Sequence, residues 1–219
     1  VTALTDAAPV AGFRSLGAVG KSIESVLNVA FAVDPPVSTH ATHAVLIRTD
    51  DLDLTGTSST IPPTPALSIL LYRVDFNKTM RPGWSAVGNV DGHSHLPLDL
   101  HYLLTAWGDN AEDEHQIIGR AMQALETVGA LSGPLLYPTG DWEPGEAVQL
   151  YLEDMATDDL MRTFDSLQCD FRLSVPYIAR VVVITGTAQP PRAGERGANQ
   201  PIELPSPDAT AIVTGIRPS

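Results

Sequence analysis

Between Arg14 and Phe31, Leu16, Val19, Ile23, Val26, Leu27 and Ala30 recur at spacings of three and four, which predicts one apolar stripe on a helix. The pattern then changes. His43 to Thr49 reads as a short strand, and the Thr, Ser, Asp and Pro residues from Asp50 to Pro65 have no period and read as a loop. In ALSILLYRV, residues 66–74, Leu67, Ile69 and Leu71 face one way and Leu70, Tyr72 and Val74 the other, as in a central strand covered on both faces. LPLDLHYLLTAWG then sets Leu98, Leu100, Tyr102 and Leu104 against Asp99, His101 and Thr105, which predicts a second long strand.

Asn110 is placed to cap a second helix, with Asp113 at the third helical position and acidic residues 112–114 near the positive end of the dipole. Its stripe runs through Ile117, Ile118, Ala121, Met122, Leu125 and Val128 to a stop at Gly129. AVQLYLED (147–154) alternates as a strand. Thr157 then caps a short helix carrying Leu160, Met161, Phe164 and Leu167, and the β-branched run FRLSVPYIARVVVITG (171–186) closes the domain as a strand. This order predicts an α/β fold, a mixed β-sheet flanked by helices, over residues 14–186, after an N-terminal tail at 1–13. Residues 187–219 read as a Pro/Gly-rich linker and an extended C-terminal arm. Within the arm, ATAIVTGI (209–216) is β-prone, and pairing in its own sheet and pairing in a neighbour's are equally compatible with the pattern.

Composition narrows the function classes. The 219 residues suit one domain with appendages, and 17 glycines and 18 prolines place much of the chain in turns and tails. A net charge of -13 and a pI near 4.6 argue against a nucleic-acid or anionic-membrane partner, since both need clustered Lys and Arg. No run approaches the ~20 consecutive apolar residues of a membrane span, and VTALTDAAPVAGF lacks the basic start and apolar middle of a signal peptide, so the expectation is a soluble chain made in the cytoplasm. Cys169 is the only cysteine, so neither an internal disulfide nor a thiolate metal cage is available, and a buried inert thiol is expected.

Candidate chemistry is sparse. GAVGKS (17–22) looks like the end of a phosphate loop, but Ser15 stands where its first glycine belongs, no strand precedes it, and Leu16 and Val19 already belong to the helical stripe. Lys21 and Ser22 are therefore expected on the solvent side of a helix. His40 and His43, His93 and His95, and His101 could join Asp91 or Asp99 in a metal site, and a His-dependent metal hydrolase using His93, His95 and Asp91 or Asp99 is the enzymatic alternative. Against it, DGHSHLP has loop composition, in which histidine is simply polar. Glu112 and His115 match one half of a di-iron motif whose second half is missing, and Gly83-Trp84-Ser85 lacks the second glycine of a nucleophile elbow. Glu153, Asp154, Asp158, Asp159 and Asp165 read as the cap and solvated face of the short helix. No catalytic residue, metal or cofactor is assigned.

LLYRV, PLDLHYLLTAWG, EDEHQIIGRAMQALE, VQLYLEDMATDDLMRTFDSLQ and FRLSVPYIARVVVI, in this order, resemble the N-terminal domain of the cap proteins, or tail terminators, of extracellular contractile injection systems. LDLHYLLTAWG at 98–108 and FRLSVPYIARVVVI at 171–184 are the most specific parts, and the resemblance runs from about Arg14 to Gly186. It implies a non-enzymatic structural protein of a phage-tail-like particle. Such a cap forms a hexameric ring at the end away from the baseplate, where it stops growth of inner tube and contractile sheath and ties them together. A phage tail terminator or completion protein is the nearest alternative. Assembly is expected in the bacterial cytoplasm, with the finished particle either kept in the cell or released. A ring closes through head-to-tail contacts, and Ala211, Ile212, Val213, Thr214, Gly215 and Ile216 are the expected interface, lying on a neighbouring subunit or on the sheath.

Overall fold

The computed structural model describes residues 12–38, 40–52, 61–80, 95–167 and 170–186. Helix α1 (Ser15–Val33) leads into strand β1 (His43–Ile47), followed by β2 (Ala66–Phe76), β3 (His95–Trp107), α2 (Ala111–Val128), β4 (Ala130–Ser132), β5 (Ala147–Leu152), α3 (Thr157–Leu167) and β6 (Ser174–Thr185). The strands form one six-stranded sheet in the order β1-β2-β3-β6-β5-β4. β1 runs parallel to β2 and every other neighbouring pair is antiparallel, which makes the sheet mixed, as the pattern predicts.

Both faces are buried over Ala66–Leu70 of β2 and over residues 97–107 of β3. On one face Leu67, Ile69, Leu100, Tyr102, Leu104 and Ala179 pack against Val19, Ile23 and Leu27 of α1 and Ile117, Ala121 and Leu125 of α2. On the other, Phe164, Leu160 and Leu167 of α3 meet Leu70, Leu103 and Trp107. Each helix presents an apolar stripe to a sheet face that alternation has already made apolar.

The helix ends follow local chemistry. Asn110 caps α2 by accepting from the Asp113 backbone N–H at 3.0 Å, and its own amide donates back to the Asp113 carboxylate at 2.8 Å. Gly129 ends the helix at φ 61°, a conformation that favours glycine. The C-terminal carbonyls of α1 are satisfied from α2, where Arg120 donates to Ala30 O at 3.0 Å and Asp34 O at 3.1 Å.

Several expectations need correcting. Ser22 is fully buried, donating to Ala18 O at 2.8 Å and accepting from the Tyr137 backbone N–H at 2.7 Å, whereas Lys21 is exposed as expected. Thr157 lies inside α3. Ala156 occupies the N-cap position, its carbonyl accepting from Leu160 N at 3.1 Å. β1 ends at Ile47 because residues 49–52 turn into a 3-10 helix. The three-residue β4 is too short to show a period and was not anticipated. By length and mean composition α1 could cross a membrane, which a search for unbroken apolar runs passes over, although here its buried face is part of the core. Cys169, residues 81–94 and residues 187–219 lie outside the described residues.

Candidate functional site

α3 covers only one end of its sheet face. Beyond it, the cross-strand register aligns Arg73, His101, Ile178 and Tyr151 in one row and Asp75, Asp99, Arg180 and Gln149 in the next. A bulge between Leu71 and Arg73 takes Tyr72 out of the ladder. This is the one place among the described residues where ionisable groups gather across several strands.

Glu153, at the end of β5, sits at the centre of the first group. It accepts from the Tyr72 hydroxyl at 2.9 Å and from Arg73 at 3.2 Å, and both its oxygens lie 3.0 Å from His101 Nδ1. Asp75 reaches His101 Nε2 at 3.4 Å and Arg73 Nε at 3.0 Å. The His101 and Glu153 side chains are only 5% and 11% exposed, so water contributes little to their solvation and the network must supply it. In the second group Asp99 receives a two-point contact from Arg180, at 3.2 and 3.0 Å, and a third hydrogen bond from Asn77 at 3.1 Å. These groups are spent on one another. The arrangement ties β2, β3, β6 and the β5–α3 connection together, which is a structural joint.

The candidate metal residues are dispersed. His95 and Asp99 both lie on β3, but their separation of four residues is about 13 Å along a strand. His95 Nδ1 sits 2.9 Å from Thr185 Oγ1 and Asp99 is held by Arg180, so the structure does not bring them together. His40 and His43 are exposed elsewhere, while Asp91 and His93 lie outside the described residues. Among the described residues no group of His, Cys, Asp and Glu is placed to hold a metal ion. Glu112 and His115 occupy the exposed first turns of α2, where Glu112 accepts from Gln116 at 3.2 Å. Glu153 departs from the sequence reading, since it belongs to the buried joint rather than to a solvated helix face. Its partners Tyr72 and Arg73 lie some eighty residues away in the chain, so only the tertiary fold shows the role.

The joint also affects ionisation. Burial, and then the hydrogen bond to Glu153, push the Tyr72 phenol above its ordinary range, and burial alone does the same for Tyr102, whose hydroxyl has no hydrogen-bond partner. Burial, with the Glu126 charge adding to it, raises Tyr177. A phenol raised in the folded state contributes stability that is fully present below its unfolded value, about 10, and is lost as pH rises through the folded value. In a near-UV absorbance titration these three tyrosines are therefore expected to ionise only above the ordinary phenol range, together with alkaline unfolding. One shared transition of all five tyrosines near pH 10, with the fold intact, would contradict this account of the interior.

A mixed sheet with helices on both faces, tied by an internal polar joint, defines an α/β domain, and comparison with known proteins makes the class specific. The sequence matches the family described as the Pvc16 N-terminal domain over residues 18–195, and the chain belongs to that family. Among solved structures it is similar to the PVC sheath/tube terminator of an extracellular contractile injection system in its extended state, with 20% identity, a TM-score of 0.50, and coverage of 86% of this chain and 65% of that one. The anti-feeding prophage tube-terminating cap gives 19% identity and a TM-score of 0.44, with coverage of 80% and 55%. The chain thus spans about two thirds or less of the length of these two proteins. No curated protein matches it.

Proposed function

We propose that the chain is a structural cap that ends the inner tube and contractile sheath at the end of the particle distal to the baseplate. Membership of the Pvc16 N-terminal domain family over residues 18–195 carries the reading, and the fold shared with a sheath/tube terminator agrees with it. Its partners are sheath and tube proteins and further copies of itself in a hexameric ring, closed by head-to-tail contacts. It acts without a catalytic step. Assembly takes place in the bacterial cytoplasm, and the cap leaves the cell only as part of a released particle. Light scattering of the chain with cognate tube and sheath proteins, together with electron microscopy of tube ends, is the test. A closed ring at those ends is expected, and a chain that ignores both proteins overturns the reading.

Ala211 to Ile216 form the proposed arm contact, adding a strand to a neighbouring subunit or to the sheath. An arm tethered to a docked domain acts as a second attachment point, so deleting residues 187–219 is expected to weaken sheath attachment roughly 10²-fold or more. Unchanged ring formation and sheath binding by the truncated chain would show that the arm is dispensable.

A further inference from the structure

Edge strands attract other strands, because their outward N–H and C=O groups have no ladder partner. Among the described residues β1 is such an edge, with β2 on one side only. The backbone groups of Ala44 and Leu46 point away from β2, yet the N–H and C=O of Ala44 and the N–H of Leu46 are hydrogen-bonded. The Asn28 carboxamide accepts from Ala44 N at 3.0 Å and donates to Ala44 O at 2.9 Å, the two-point exchange that a residue of an antiparallel partner strand would make. One helical turn earlier, Glu24 Oε2 accepts from Leu46 N at 3.1 Å.

The sequence sets up this contact at three positions spaced by four. Gly20, Glu24 and Asn28 lie along one line of α1. A Cβ at Gly20 would stand 2.9 Å from Leu46 Cδ1, so the glycine leaves room for that side chain against the helix. Glu24 is held from behind by Lys21 Nζ, at 2.8 and 3.0 Å, and Asn28 Nδ2 is also anchored to Glu24 O at 2.9 Å. The second glycine and the lysine of GAVGKS thus serve packing and orientation along an edge. We propose that Glu24 and Asn28 act as a side-chain strand that occupies the outer edge of β1 and prevents a second copy of the chain from adding a strand there. The device is independent of the cap reading, although it suits any protein packed at high local concentration with copies of itself.

Hydrogen exchange on the intact chain provides the first test. The Ala44 and Leu46 amides are expected to be protected like ladder amides although they face away from β2, and exchange at the rate of open edge amides would overturn the proposal. The Glu24→Ala/Asn28→Ala variant provides the second. At about 10–100 μM, the range in which exposed strand edges associate, it is expected to at least double in mass relative to the parent chain at equal concentration. Adding Ala44→Pro, which removes the outward N–H and leaves the β2 side intact, is expected to restore the parent mass. A folded double variant with unchanged mass, or a gain in mass that Ala44→Pro leaves in place, would show that the contact does not guard the edge. If the double variant fails to fold, the exchange rates in the intact chain decide.

Discussion

Trp107→Ala is expected to lower the unfolding free energy by about 4 kcal/mol, the usual cost of deleting a large aromatic side chain from a core. The indole is 4% exposed, packs with Leu70, Leu103 and Phe164, and donates its N–H to the Ser68 hydroxyl at 2.8 Å. The Arg172 guanidinium lies over the ring, 4.3 Å from its centroid. The truncation removes all three interactions and opens a cavity between the sheet and α3. Trp107→Phe keeps most of the volume and loses the hydrogen bond, so about 1–2 kcal/mol is expected. Urea unfolding of both variants checks the ordering; an alanine variant no less stable than the phenylalanine variant would mean that α3 does not seal this face.

The second large effect is expected at Glu153. Replacing it by alanine leaves the buried His101 ring and the Tyr72 hydroxyl without their shared acceptor, at a cost of about 3 kcal/mol for two buried polar groups losing their partner. Glu153→Gln preserves shape and one acceptor oxygen and is expected to cost about half as much. The distinguishing signature is regional. Because Glu153 sits where β5 passes into α3, amide exchange in α3 is expected to accelerate well before exchange in α1 and α2, which pack on the opposite sheet face. A loss spread evenly over all three helices, or one below about 1 kcal/mol, would mean that the network is not the joint described.

Local signals were legible, and signals needing a distant partner were not. The α2 boundaries follow from Asn110, the acidic first turn and Gly129, all within the helix's own sequence. β2 and β3 were readable because alternation is local, and the same strands show why both faces are buried. A polar residue on a helix, by contrast, reads as solvent-facing unless its partner is known. Ser22 is buried because Tyr137 comes to it, and Asn28 and Glu24 are occupied because β1 lies beside them. Thr157 has the composition of a cap, but the chain begins its helical turn one residue earlier at Ala156. The family resemblance was carried by two long strand motifs that became β3 and β6, neighbours in the sheet. The proposed interface at Ala211 to Ile216 lies outside the described residues, so its test is biochemical.

The sheet order also bears on how the domain would respond to a mechanical load. β3 is paired along nearly its whole length with β2 on one side and β6 on the other. A pull along β3 loads both ladders in shear, because antiparallel hydrogen bonds run perpendicular to the strand and share the force. At the opposite extreme β4 is held to β5 by only three paired residues, and a pull across it would peel them one at a time. Under the proposed cap role, force entering through β3 would be spread over the centre of the sheet, while force entering at β4 would detach an edge.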